Sequence, residues 1–73
     1  MPLIIFNSTQ QALLAESFFE EHGLEIDIVA LPKKYTADCG LAIKVEAAAR
    51  EEVRRLLEQY QIEFKAIVEE NVG

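Results

Sequence analysis

A four-stranded antiparallel sheet with two helices on one face is the α+β fold that the sequence predicts, for three reasons. The chain has 73 residues, which is enough for a single domain over residues 1–73. Hydrophobic residues make up 51% of it and charged residues 27%, a balance that favours a packed core over disorder. Its hydrophobic patterns alternate between strand and helix periods in the order βαββαβ.

The first strand and helix adjoin each other at the start of the chain. Leu3–Asn7 is an almost uninterrupted apolar run, which indicates a strand buried on both faces and therefore central in its sheet. Ser8, with Gln11 three residues later, fits a capping box and marks the start of the first helix. Gly23 stands where a C′ glycine would end it. The predicted apolar face of this helix consists of Leu14, Ala15, Phe18, Phe19 and His22.

Two alternating segments predict the second and third strands, Leu24–Leu31 and Cys39–Val45. Pro32 ends the second strand, and the polar loop 32–38 separates the two. Cys39 shares its parity with the residues of the third strand that we assign to the core. As the first residue of that strand, after a long polar loop, it stands where burial is commonly incomplete, so an exposed and a buried sulfur both stay open.

The second helix is predicted over Ala47–Tyr60, where apolar residues recur at helical spacing. Its exposed face offers two i,i+4 ion pairs, and their members are Glu51 with Arg55 and Arg54 with Glu58. The last strand is predicted over Ile62–Val68, with Ala66 on its core face and Ile67 on the other.

This order of elements in so short a chain is typical of the ferredoxin-like arrangement. Right-handed crossovers make the first and third strands its two inner strands. One face of the sheet then carries no helix, yet it is apolar, which predicts a homodimer or another protein partner. The residues expected there are Leu3 and Ile5 (or Ile4 and Phe6), Val29, Leu31, Ala42 and Ile67.

Charge and cysteine content narrow the function classes. The net charge is −6, the opposite of a nucleic-acid footprint, so we expect no nucleic-acid partner. The N-terminus lacks a basic signal-peptide region, and no stretch approaches a membrane span, which predicts a cytoplasmic protein. The single cysteine allows no intramolecular disulfide and no multi-cysteine zinc site, and no metal or cofactor is expected.

The predicted topology gives Cys39 distinctive neighbours. Antiparallel inner strands bring the end of the first strand and the start of the third to one edge of the sheet. The first helix begins at that edge with Ser8 and Thr9, and Lys33 and Lys34 lie in the adjoining loop. A helix N-terminus and nearby cations stabilise a thiolate. The same parity also fits a buried cysteine that acts as a small hydrophobe, and both interpretations stay open at this point.

Four segments also carry a family resemblance. They are Asn7-Ser8-Thr9, the helix residues Ala12-Leu13 and Ala15-Glu16, Pro32-Lys33, and Cys39-Gly40-Leu41-Ala42-Ile43. In these the chain resembles the selenium/sulfur carrier-like family, formerly a domain of unknown function, over about residues 3–68. Its members often have Arg after the proline and a serine-rich loop, where this chain has Lys33 and Tyr35-Thr36-Ala37.

The resemblance implies a carrier rather than an enzyme, with Cys39 holding sulfur as a persulfide or selenium as a selenopersulfide. A donor such as a cysteine desulfurase would load it, and an acceptor thiol would receive the load. The residues expected to surround the load are Asn7, Ser8, Thr9, Pro32, Lys33, Lys34 and Gly40.

Two alternatives stand beside this function. The chain could be a non-catalytic interaction or ligand-sensing domain, with the open sheet face as its functional surface. A Cys–His hydrolase is disfavoured, because the topology places His22 and Cys39 at opposite ends of the first helix.

Overall fold

A computed structural model describes residues 1–70 of the chain. Its elements, in chain order, are β1 (Pro2–Ile5), α1 (Thr9–Glu21), β2 (Ile26–Ala30), β3 (Leu41–Val45), a 3₁₀ turn (Ala47–Ala49), α2 (Arg50–Gln59) and β4 (Ala66–Glu69). In this part of the chain no helix has the length and apolar character needed to cross a membrane.

The strands form one antiparallel sheet in the order β2-β3-β1-β4. The ferredoxin-like α+β arrangement is therefore confirmed, with β1 and β3 as the inner strands. All four residues of β1 are buried, as its apolar run predicts. Ile5 pairs with Ala42 at one end of the strands, and Pro2 pairs with Glu69 at the opposite end. These two ends of the strands are called the two edges of the sheet below.

One face of the sheet packs against both helices and forms the hydrophobic core. Ile4 of β1 and Ile43 of β3 are paired on this face, and the buried residues of α1 and α2 join them in one cluster. Ile67 pairs with Ile4 and packs against the same cluster, so its predicted place on the other face is wrong. Residues 62–65 form the connection after α2, and β4 begins only at Ala66, which reverses the predicted parity.

Helix α1 begins and ends where the sequence predicts. The Ser8 hydroxyl accepts a hydrogen bond from the Gln11 amide at 3.2 Å, while the Gln11 side chain accepts one from the Glu63 amide, so only half of the capping box forms. At the other end Gly23 has φ +75°, and a Schellman motif joins the Leu24 amide to the Phe19 carbonyl at 3.0 Å.

The buried stripe of α1 is narrower than its predicted apolar face. Ala12, Ala15 and Phe19 are buried, whereas Leu14 is 44% exposed. The two alanines lie on the side of the helix that packs on the sheet, and Leu14 lies outside this stripe. The prediction of Leu14 as a core residue is therefore wrong.

Helix α2 buries its predicted apolar stripe and also ends in a Schellman motif. Gln61 adopts φ 55° there, and the Ile62 amide donates to the Leu57 carbonyl at 2.9 Å. The predicted Arg54–Glu58 pair is present at 3.8 Å. Arg55 pairs instead with Glu52 at 2.6 Å, so the Glu51 partner predicted for it is wrong.

Residues 32–38 form a strap over the face of the sheet that carries no helix. The strap leaves the end of β2 at one side of the sheet, and Tyr35 and Thr36 reach residues that flank β4 at the other side. On this face Leu3, Ile5 and Ala42 are buried although they lie outside the helix-side core. The chain thus covers apolar surface from which we expected a homodimer, and the oligomeric state stays a prediction.

Candidate functional site

Cys39 follows the strap directly, and its side chain is fully buried in the helix-side core. The sequence left the exposure of Cys39 open, and the structure buries it because the first turn of α1 lies against the sulfur. The predicted strand start at Cys39 is wrong. The last hydrogen bond between the β2 and β3 segments joins the Leu31 amide to the Gly40 carbonyl at 2.9 Å, and β3 begins at Leu41.

Polar groups from two elements surround the sulfur. The Thr9 hydroxyl, on the first residue of α1, lies 3.8 Å from Cys39 Sγ and can donate to it. The amide nitrogen and the carbonyl oxygen of Leu41 each lie 3.4 Å from Sγ. The amide can donate to a thiol or a thiolate, whereas the carbonyl can accept only from the thiol. Thr9 is itself exposed, so the sulfur lies one residue beneath the surface.

Leu41 was not predicted as a site residue. Its contact uses backbone atoms, so its side chain carries no signal of the role. The only available signal is the spacing, since a polar side chain commonly bonds to the backbone two residues on.

Three other residues of the predicted site, Asn7, Ser8 and Gly40, adjoin β1, α1 and β3 in the chain. Asn7 and Gly40 are exposed, and Ser8 caps α1 beside Thr9. A Cβ atom added to Gly40 would meet nothing within 4 Å, so the backbone next to the cysteine is open to an approaching molecule.

The predicted basic neighbours behave differently. Lys34 Nζ lies 3.0 Å from Glu70 Oε1, and Glu70 is hydrogen-bonded to Met1 through its amide. Ile5 lies at the same edge as Cys39, and Met1 lies four residues before Ile5 in an extended chain, so Met1 and Ile5 are about 13 Å apart. Lys34 therefore lies at the opposite edge of the sheet from Cys39, and its predicted place beside the thiol is wrong. Lys33 is exposed, and Pro32 is half-buried and accepts a turn hydrogen bond from the Tyr35 amide.

Glu70 is the centre of a small charged cluster with the strap. The Tyr35 hydroxyl donates to Glu70 Oε2 at 2.8 Å. This bond, and then that from Lys34, hold the pKa of Glu70 below its usual value. Hydrogen bonding to Glu70 raises the pKa of Lys34, and the same bond, followed by burial, raises the pKa of Tyr35.

His22 lies at the far end of α1, as predicted. Its Nδ1 lies 2.9 Å from the Phe18 carbonyl oxygen, which can only accept, so Nδ1 carries the proton. The His22 ring also contacts Tyr60 edge-on. Across residues 1–70, no group of three or more His, Cys, Asp or Glu side chains is placed to hold a metal ion.

The fold and the site define a class of protein: a small ferredoxin-like domain with one cysteine enclosed at the N-terminus of its first helix. The model of the family described as "Putative Se/S carrier protein-like" matches residues 1–69, and the chain belongs to this family. The family description indicates a selenium or sulfur carrier. No curated protein and no solved structure matches the chain.

Proposed function

We propose that the protein carries sulfur or selenium on Cys39, as a persulfide or a selenopersulfide, and passes it to an acceptor thiol. The observation that carries the proposal is the setting of the Cys39 sulfur, which has the Thr9 hydroxyl and the Leu41 amide within reach at the start of α1. Family membership supports the same role.

Loading is an exchange at sulfur. The Cys39 thiolate attacks the outer sulfur of a persulfide on a donor such as a cysteine desulfurase. The sulfur–sulfur bond on the donor breaks, the donor cysteine leaves as a thiolate, and a new sulfur–sulfur bond forms on Cys39. The outer sulfur keeps its oxidation state, so the step needs no oxidant or reductant.

Discharge reverses these roles. An acceptor thiolate attacks the outer sulfur or selenium, and Cys39 leaves as a thiolate. Hydrogen bonds to a thiolate are strong because the acceptor is charged, so the Thr9 hydroxyl and the Leu41 amide would stabilise this leaving group. The N-terminus of α1, at Ser8–Gln10, adds its partial positive charge.

Intact mass spectrometry tests loading directly, because Cys39 is the only cysteine in the sequence. After incubation with a cysteine desulfurase and free cysteine, we expect the wild type to gain about 32 Da, the mass of one sulfur atom, and Cys39→Ser to gain nothing. The proposal fails if the native wild type gains no mass from a desulfurase that is itself persulfidated.

A second function is favoured by one observation, the complete burial of Cys39. In that case the chain is a non-catalytic interaction or ligand-sensing domain and the cysteine fills the core. The strap covers the open sheet face that we expected such a domain to use, so a partner would bind the strap or displace it.

Alkylation separates the two functions. A carrier reacts with iodoacetamide while the protein is folded, because its thiolate must be reachable by a partner. A core cysteine resists until the protein unfolds. The mass of the protein after timed exposure, with and without concentrated urea, distinguishes these results.

A further inference from the structure

Cys39 and the strap belong to one loop that connects the paired parts of β2 and β3. The Leu31 amide and the Gly40 carbonyl close its base at 2.9 Å, and the paired residues of β2 and β3 end at Ala30 and Leu41. Residues 32–39 therefore lie outside the ladder of strand pairing. They can leave the sheet together without breaking any β2–β3 pair.

The far end of the strap is held at the β4 side of the sheet. The Tyr35 hydroxyl and the Lys34 ammonium both bind the Glu70 carboxylate, at 2.8 and 3.0 Å. Lys65 donates a further hydrogen bond to the Thr36 carbonyl. Because two of these three contacts converge on Glu70, that carboxylate is the main latch of the strap.

The closed strap and the buried sulfur are physically linked. The Cys39 side chain is inserted into the helix-side core immediately after the strap, whose residues Tyr35 and Ala37 are half-buried on the sheet. Lifting residues 32–38 pulls on Cys39 next, because only Gly40 separates it from the β3 strand. Local openings of this kind cost less free energy than global unfolding and set the reactivity of buried groups.

We propose that residues 32–39 open as a unit, and that the Glu70 latch sets how often the Cys39 sulfur is exposed to a donor or an acceptor. This inference rests on the proposed function for its purpose, since it describes how a buried carrier residue is reached. The closed state would shield a loaded sulfur from stray thiols, and a partner that binds the open form would shift the population toward it.

The test measures alkylation of the unloaded, folded protein at neutral pH, so it does not depend on sulfur transfer. Glu70→Ala removes the latch and is expected to raise the alkylation rate about three- to tenfold. Tyr35→Phe keeps the ring and removes one hydrogen bond, so a smaller rise of about twofold is expected.

Glu69→Ala is the matched control. Glu69 is the neighbouring carboxylate and pairs with Arg50 at 2.7 Å and with the Met1 ammonium at 3.8 Å, and its described ion pairs include no strap residue. Its variant should alkylate at the wild-type rate. Low concentrations of urea should leave the wild-type rate nearly unchanged, because a local opening exposes little surface.

Two results would overturn the latch. One is an equal alkylation rate in the wild type and Glu70→Ala. The other is a wild-type rate that rises with urea as steeply as global unfolding does, which would mean that Cys39 reacts only in the unfolded chain. If Glu70→Ala is alkylated faster but the wild type gains no mass from the desulfurase, the latch stands and only the proposed function is refuted.

Discussion

Cys39 combines the burial of a core residue with polar contacts at its sulfur. Its side chain is fully buried among apolar residues, yet its sulfur touches a hydroxyl of Thr9 and the backbone of Leu41. A purely structural cysteine needs none of these polar contacts, whereas a leaving thiolate gains from each donor. These polar contacts therefore define the candidate site.

Gly40 allows a test of access that leaves the fold intact. A Cβ at this position meets nothing within 4 Å, so Gly40→Ala should leave the free energy of unfolding unchanged or raise it by up to about 1 kcal/mol. We expect slower sulfur transfer from a protein donor, because the methyl group stands beside the approach to Cys39.

The control for Gly40→Ala is the small reagent iodoacetamide, whose alkylation rate should match the wild type. Transfer is followed by mass spectrometry and stability by urea unfolding. Equal transfer rates in the two proteins would show that a donor does not approach along this backbone.

The sequence predicted that Cys39 lies near the N-terminus of α1, because antiparallel inner strands force those chain segments to one edge, and the Thr9 hydroxyl is indeed 3.8 Å from the sulfur. The place of Lys34 could not be predicted. A long side chain in a loop takes the direction of its best partner, and that partner, Glu70, is 36 positions away in the sequence.

The ends of the two helices depend on backbone geometry as well as on residue type. Both helices end in Schellman motifs, but α1 uses a glycine at the left-handed position and α2 uses Gln61, with φ 55°. A residue with a Cβ atom is strained in this region, so α2 ends at a cost that α1 avoids.

Exchanging the residue types at these positions should shift stability in opposite directions. Gln61→Gly should raise the free energy of unfolding by about 0.5–1 kcal/mol, and Gly23→Ala should lower it by about 1 kcal/mol. Urea denaturation of both variants beside the wild type measures the difference. A destabilised Gln61→Gly would mean that the glutamine side chain makes a contact worth more than the strain.

The strap predicts a specific pH dependence. The pKa of Glu70 is lowered in the folded protein, so its carboxylate adds to the free energy of unfolding above the unfolded pKa of about 4.3. This stabilisation is lost as the pH falls through the lower pKa of the folded protein. The pKa values of Tyr35 and Lys34 are raised, so their contributions are present below about 10 and are lost as the pH rises further.

Glu70→Gln isolates this effect, because it keeps the shape of the side chain and cannot ionise. The difference in unfolding free energy between the wild type and the variant should be constant between about pH 6 and 9 and should shrink below about pH 4. Urea titrations across this range measure it. A difference that persists unchanged at pH 3 would show that the Glu70 charge does not hold the strap.

Element types were predictable, and element edges less so. The Ser8 cap and Gly23 predicted both ends of α1 correctly because each acts within one turn. The start of β4 could not be predicted, because the apolar Ile62 looks like the first residue of a strand. It belongs instead to the connection that follows the left-handed residue at the end of α2, and it packs on the core. The local sequence pattern does not distinguish a buried apolar residue in a connection from one in a strand.

At the scale of the whole molecule, a single chain buries apolar residues on both faces of the sheet. The helices cover one face, and Leu3, Ile5 and Ala42 are buried on the other, which the strap crosses. The sequence predicted the first layer from its periodicity. It did not predict the second, because a polar loop without regular spacing carries no sign of the surface it lies on.

Discharge of a loaded protein tests whether Cys39 is a carrier residue, because a carrier must both accept its load and release it. Wild-type protein bearing the added sulfur on Cys39 is separated from the donor and mixed with a thiol-bearing acceptor protein. We predict that the loaded protein loses about 32 Da while the acceptor gains the same mass. A loaded Cys39 that keeps its sulfur while the acceptor stays unmodified, even in the Glu70→Ala variant with the strap released, would contradict the claim.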